Sequence, residues 1–271
     1  LDALGDKTLD DKEAYSAVAN ISRDAVIRCT GAYGKDDYPA SCSAISVWGK
    51  GSELNVSGGT ITGTDYGIVG NGSYGTTSGY NYSGTKITIT GGEISANNTC
   101  IYHPQYGTMD ISGGTITGAT GIEIRAGELT ISGNPVIKGT GTPTETEANG
   151  NGTTTIGAGI GIVQHTTKLD LEVSILGGTI TGYTALNEAN LQKNDKDAIA
   201  KVNINITNGS FVSTNDGSNE DVPPVAIYSE DNTGFIAGGN FSDPITDTDY
   251  LAAGLNAERY STATNTDAPY S

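Results

Sequence analysis

The chain has 271 residues, 39 of them glycine, and a formal net charge of −17. That acidity is interrupted by no Lys/Arg cluster, so it repels phosphate backbones and anionic lipid and excludes nucleic acid as an expected partner. No apolar run approaches the ~20 residues that span a bilayer, so no membrane insertion is expected, and the absence of a Gly-X-Y period excludes collagen.

The chain begins at Leu1 and its only methionine is Met109. This predicts that a signal peptide or another upstream segment has been removed. Asp10-Asp11-Lys12-Glu13 has the spacing of a capping box, with Asp10 as N-cap and Glu13 reaching back. Ala14, Tyr15, Ala17, Val18 and Ile21 follow on one helical face, which predicts a short capping helix over 11–20 within an N-terminal cap, residues 1–41. Of the three cysteines, Cys29 and Cys42 could pair across a short loop, whereas Cys100 reads as a small core residue.

Residues 42–243 carry internal repeats. Gly-Gly-Thr-Ile-Thr-Gly occurs verbatim at 58–63, 113–118 and 177–182. Related turns fall at Gly91-Gly92, Gly133-Asn134, Asn208-Gly209 and Gly238-Gly239. From 91 to 113 is 22 residues and from 113 to 133 is 20, which gives the bare repeat. Longer spacings mark insertions at 71–84, 139–157, 190–197 and 213–224, each rich in turn formers and expected to loop out. Within a repeat, Leu54 and Val56, then Ile61, then Ile68 alternate with polar residues in short pieces separated by glycine.

Three strands per repeat predict an all-β chain of one domain, a right-handed three-sided parallel β-helix; the left-handed alternative wants a six-residue repeat. One inward file is expected to hold Ile61, Ile94, Ile116, Val136, Ile180, Phe211 and Phe241. A second is expected to hold Ile68, Ile101, Ile122, Ile162, Leu186 and Ile227. Residues 244–271 form the C-terminal cap and tail, with a short helix or irregular piece at 250–260.

Several segments carry a resemblance: Cys100-Ile-Tyr-His-Pro-Gln105, Gly121-Ile-Glu-Ile-Arg125, Gly161-Ile-Val-Gln-His165, Gly182-Tyr-Thr-Ala-Leu186 and Gly238-Gly-Asn-Phe-Ser-Asp243. Over about residues 44–260 the chain resembles the parallel β-helix repeats of the pectate-lyase-like superfamily, and within it Gly/Thr-rich surface proteins of Gram-positive gut bacteria. The resemblance implies that fold and a secreted or cell-surface bacterial setting. It implies no single reaction, because the fold hosts lyases, hydrolases, adhesins and phage tail parts.

Lyases and polygalacturonases of that superfamily gather carboxylates on neighbouring coils. Here Asp110 falls level with Asn55, Thr88 and Thr130, and Glu93 with Thr60, Thr115 and Pro135, so neither gains an acidic neighbour. Asp170 and Glu172 read as a solvated face. No EF-hand loop or Gly-Gly-X-Gly-X-Asp repeat is present, and no cofactor, metal or catalytic residue is assigned.

The outward slots beside the second file hold Val69, Tyr102, Glu123, Val163, Asn187 and Tyr228. Two residues on come Asn71, Pro104, Arg125, His165, Ala189 and Glu230. An aromatic, amide, acidic and basic row on one flat sheet suits a polysaccharide or host glycan. Tyr102, His103, Glu123, Arg125, His165, Asn187, Tyr228 and Glu230 are therefore the candidate glycan wall, although His103 also fits an inward slot and Glu123–Arg125 an ordinary ion pair. Thr-X-Thr pairs at 60/62, 115/117 and 179/181 are too broken by Glu93 and Lys138 to match an ice lattice. The expected function is non-catalytic glycan binding. A polysaccharide lyase or glycoside hydrolase is the alternative, and a structural stalk the third reading.

Overall fold

Alternation of Ile, Leu and Val with Thr, Ser and Asn favours half-buried strands over helix, because β-branched side chains pack well on a pleated surface. The computed structural model describes residues 17–30, 42–47, 51–71, 84–143, 157–218, 223–258 and 270, and these are all-β with almost no helix. In chain order the elements are β1 (Val18–Ile21), β2 (Val26–Cys29), β3 (Ser43–Ser46), β4 (Glu53–Gly63), β5 (Tyr66–Val69) and β6 (Thr85–Ala96). Then come β7 (Thr99–His103), β8 (Gly107–Gly118), β9 (Thr120–Ile124), β10 (Gly127–Ile131), β11 (Val136–Gly139) and β12 (Ala158–Ile162). β13 (Leu171–Gly182), β14 (Thr184–Glu188), one helical turn α1 (Lys196–Ile199), β15 (Val202–Ser213), β16 (Ile227–Ser229) and β17 (Asn240–Phe241) follow, with a 3-10 turn at Thr248–Tyr250.

The named strands pair in parallel, each with its counterparts in neighbouring repeats. One ten-stranded sheet runs β1-β4-β6-β8-β10-β13-β15-β17, with β2 on β4 and β11 between β8 and β13; a seven-stranded sheet runs β16-β14-β12-β9-β7-β5-β3. Because β10 and β11 both lie between β8 and β13, these four strands close a parallel pairing circuit.

The Gly-Gly pairs at 58–59, 91–92, 113–114 and 177–178, expected as corners between separate strands, instead sit inside long continuous strands, while Gly238-Gly239 precedes β17. They produce register slips, as between Ile89 and Glu93 where β6 meets β8. Gly114 has φ +88°, and a Cβ on Gly113 would lie 2.4 Å from the Thr90 carbonyl oxygen. Only glycine fits both demands.

Like side chains align in files inside one apolar core. The first file reads Ile61, Ile94, Ile116, Ile137, Ile180, Phe211 and Phe241, so Ile137 replaces the expected Val136. Ser132-Gly133-Asn134-Pro135 holds one residue more than Ser112-Gly113-Gly114, which moves the inward slot along by one. The second file reads Ile68, Ile101, Ile122, Ile160, Leu186 and Ile227, with Ile160 in place of Ile162. Gly159-Ile160 and Gly161-Ile162 read alike, and a slip of two keeps the inward parity, so the pattern could not separate them.

One further expectation is corrected. The predicted helix over 11–20 ends in strand: Val18–Ile21 pairs with β4, because Val18, Asn20 and Ala19, Ile21 also alternate with period two. Residues 11–16 lie outside those described. The 190–197 insertion lies outside the strands, as expected, and is held to the loop after β12: Asn194 Nδ2 donates to Gln164 Oε1 at 3.0 Å, and Asp195 caps α1 by accepting from the Ala198 amide at 3.0 Å. Most of the 71–84 and 139–157 insertions lies outside the described residues, as do 219–222 of the 213–224 insertion. Cys29 and Cys42 form a disulfide with Cα atoms 5.6 Å apart, and Cys100 is free and buried. At the C-terminal end the chain is irregular after Tyr250, with Leu251 bridged to Ile236.

Candidate functional site

The predicted wall belongs to the seven-stranded sheet, where Val69, Tyr102 and Glu123 lie level on β5, β7 and β9, and Asn187 and Tyr228 on β14 and β16. Between them Gly161 occupies the slot expected for Val163, a consequence of the two-residue slip. His165 follows the end of β12, and its amide donates to the Arg125 carbonyl at 2.9 Å.

An outward direction on the pleat was expected to mean solvent, and over the first half of the wall it does not. Tyr102 is 6 % exposed, and Glu123 and Arg125 are fully buried. The Arg125 side chain lies along the sheet and satisfies its neighbours. Its Nε donates to the Val163 carbonyl at 3.2 Å and lies 3.8 Å from Glu123 Oε1, and its Nη1 donates to the Tyr102 hydroxyl at 3.2 Å. The Tyr66 ring packs 5.7 Å from that of Tyr102. Burial pushes the Tyr102 phenol up to about 12, against the opposing pull of Arg125. A buried ion pair of this kind is costly to break but is weak evidence for a binding surface.

His103 occupies the inward slot level with Ile124 and is fully buried. Its Nδ1 donates to the Ala126 carbonyl at 3.1 Å, and burial lowers the imidazole to about 4, so it is neutral at physiological pH. His165 is also buried and its Nδ1 accepts the Thr167 amide proton at 3.2 Å.

The second half of the wall is open. Tyr228 is 43 % exposed, Asn187 beside it is half-buried, and Glu230 is exposed and accepts the Asn190 amide proton at 2.8 Å. Burial and then the Glu230 charge raise the Tyr228 phenol above its ordinary value.

Sequence reasoning missed Glu188. It sits level with Ile162 and Ser229, is 2 % exposed, and accepts from Ser229 Oγ at 2.7 Å and from the Glu230 and Asp231 amides, each at 3.0 Å. Its donors lie some forty residues away, so no local motif announces it. The expected placement of Asp110 level with Asn55, Thr88 and Thr130 is observed, while Val136, rather than Pro135, shares the row of Glu93. One acidic stack was overlooked: Glu128 pairs in register with Glu172, whose Oε1 accepts from Asn203 at 2.9 Å. Both glutamates are exposed.

Among the described residues, no three His, Cys, Asp or Glu side chains gather closely enough to hold a metal ion, and no helix is long and apolar enough to cross a membrane. No protein-family model matches the chain, and neither a curated protein nor a solved structure matches it.

Proposed function

We propose that this chain is a secreted or cell-surface bacterial binding protein, a right-handed three-sided parallel β-helix of the pectate-lyase-like kind, that recognises a polysaccharide or host glycan without cleaving it. The in-register pairing of successive repeats supports the fold reading. The observation that carries the functional reading is the open end of the wall, where Tyr228 presents an accessible ring beside Asn187 on the next strand, with Glu230 two residues on. An aromatic face stacks on a sugar ring, and an amide and a carboxylate fix its hydroxyls. Tyr102, His103, Glu123, Arg125 and His165 then serve as the interior support of this wall instead of its contact surface.

A glycan array tests this. Saturable binding to at least one polysaccharide is expected, and Tyr228→Ala should weaken it about tenfold, the equivalent of roughly 1.4 kcal/mol of stacking. Absence of any glycan binding, or binding untouched in a Tyr228→Ala, Asn187→Ala double variant that still unfolds at the wild-type temperature, would overturn it. The alternative, a lyase or hydrolase, is favoured by one observation, the Glu128–Glu172 stack. Neighbouring strands set those residues ~4.8 Å apart at the backbone, near the carboxylate separation of retaining glycosidases. Release of reducing or unsaturated sugars that is lost in Glu172→Gln would establish it.

A further inference from the structure

We propose a second binding site, separate from the Tyr228 wall, in the cavity beside the last Gly-Gly turn, for a neutral ligand bearing hydroxyl and amide groups and the size of one to two sugar rings. The cavity has a volume of about 380 Å³. That lies within the ~300–1,000 Å³ of ordinary ligand pockets, which combine an apolar lining with a few placed polar groups.

Its construction follows from the way the repeats end. Gly238-Gly239 is the last Gly-Gly pair of the described residues and packs tightly on the preceding repeat: a Cβ on Gly238 would lie 2.5 Å from the Thr207 carbonyl oxygen. On the far side the chain crosses back, with the Ala252 amide donating to the Ile236 carbonyl at 2.8 Å and the Leu255 amide to the Ala252 carbonyl at 3.1 Å. The cavity lies between that turn and the crossing segment.

The lining sets the chemistry. Its polar side chains are three carboxamides, Asn208, Asn240 and Asn256, and its apolar ones include Leu251 and Leu255. Leu255 leaves 46 % of its surface exposed. A carboxamide both donates and accepts, which matches vicinal hydroxyls or an acetamido group, while a leucine at the rim suits the C–H face of a sugar. Asn208 Oδ1 accepts the Gly209 amide proton at 2.8 Å, which leaves its Nδ2 as the donor to a ligand. No lining residue is ionisable, although the chain carries a net charge of −17. An anionic sugar would find no cation there and would enter against the field of the whole molecule.

Ligand-observed NMR titration of the full chain tests the site, using N-acetylglucosamine, galactose, mannose and their disaccharides, with galacturonate as the charged control. At least one neutral sugar should bind saturably at millimolar concentration or below, equally at pH 5 and pH 8, and galacturonate should not. Ala237→Trp, which fills the cavity from an exposed position, and Asn256→Leu should each weaken binding at least tenfold, whereas Glu93→Gln, exposed on the ten-stranded sheet, should leave it unchanged. Thermal unfolding confirms that the variants fold. The proposal is overturned if no neutral sugar binds, if galacturonate binds equally well, or if binding persists in both cavity variants. Loss in Tyr228→Ala alone would remove this site and leave the wall reading standing. Loss in the cavity variants alone would establish the cavity whatever the wall does.

Discussion

His103 lies in a slot that Ile124 fills on the next strand, so a titratable ring replaces an aliphatic one inside the core. Its Nδ1–H is committed to the Ala126 carbonyl, and among the described residues Nε2 has no hydrogen-bond partner. A proton on Nε2 would create a buried cation, which is why burial depresses the imidazole from 6.5 to about 4. The sign of the effect on stability follows. Above pH 6.5 the ring is neutral folded and unfolded, and its contribution is fully present. As the pH falls from 6.5 towards 4, only the unfolded chain takes up the proton, and that contribution is lost. Urea unfolding at pH 4.5 should therefore show, through this residue, a loss of roughly 2 kcal/mol relative to pH 7, and His103→Leu should flatten that part of the profile. An unchanged profile in His103→Leu would mean that the ring titrates normally. At this scale the inward alternative for His103 was legible, because strand parity decides it. The burial of Tyr102, Glu123 and Arg125 was not legible, because period-two alternation tells which face of the sheet a side chain leaves and says nothing about what then covers that face.

The repeating element is a long strand bent at a Gly-Gly pair, stacked on another of its kind. Gly114 combines a left-handed φ of +88° with a close approach: an added Cβ would lie 2.9 Å from the Gly92 carbonyl oxygen. Gly254 has a similar φ of +84° with nothing within 4 Å. Comparing the two separates backbone strain from collision. Gly254→Ala should destabilise by about 1 kcal/mol, the ordinary penalty of the left-handed region. Gly114→Ala should cost roughly 2 kcal/mol more, because the neighbouring strand must shift. Equal losses in denaturant unfolding would show that the stacking is looser than described. The Gly-Gly signature was plain in the sequence, but its role as a kink within one strand was hidden, since a bend and a corner use the same residue for the same φ. The extra residue in Ser132-Gly133-Asn134-Pro135 and the doubled Gly-Ile at 159–162 likewise displaced two positions of the predicted files.

At the scale of the whole molecule, parallel pairing of like strands converts a sequence repeat into columns of like side chains. Burying each isoleucine contributes roughly 1.5–3 kcal/mol before chain entropy is counted. The same stacking levels any outward residues that recur, so a surface row is a by-product of the architecture and acquires a role only where it stays open. On the seven-stranded sheet it stays open at Asn187, Tyr228 and Glu230, while the carboxylates of Glu123 and Glu188 are held inside by an arginine and by amide donors. That contrast underlies the reading of binding without cleavage. The most direct test is to incubate the protein with each glycan it retains on an array and to follow bound glycan and released sugar together. The account predicts saturable retention with product at the level of the buffer control over many hours. Product that accumulates in proportion to protein concentration would contradict it.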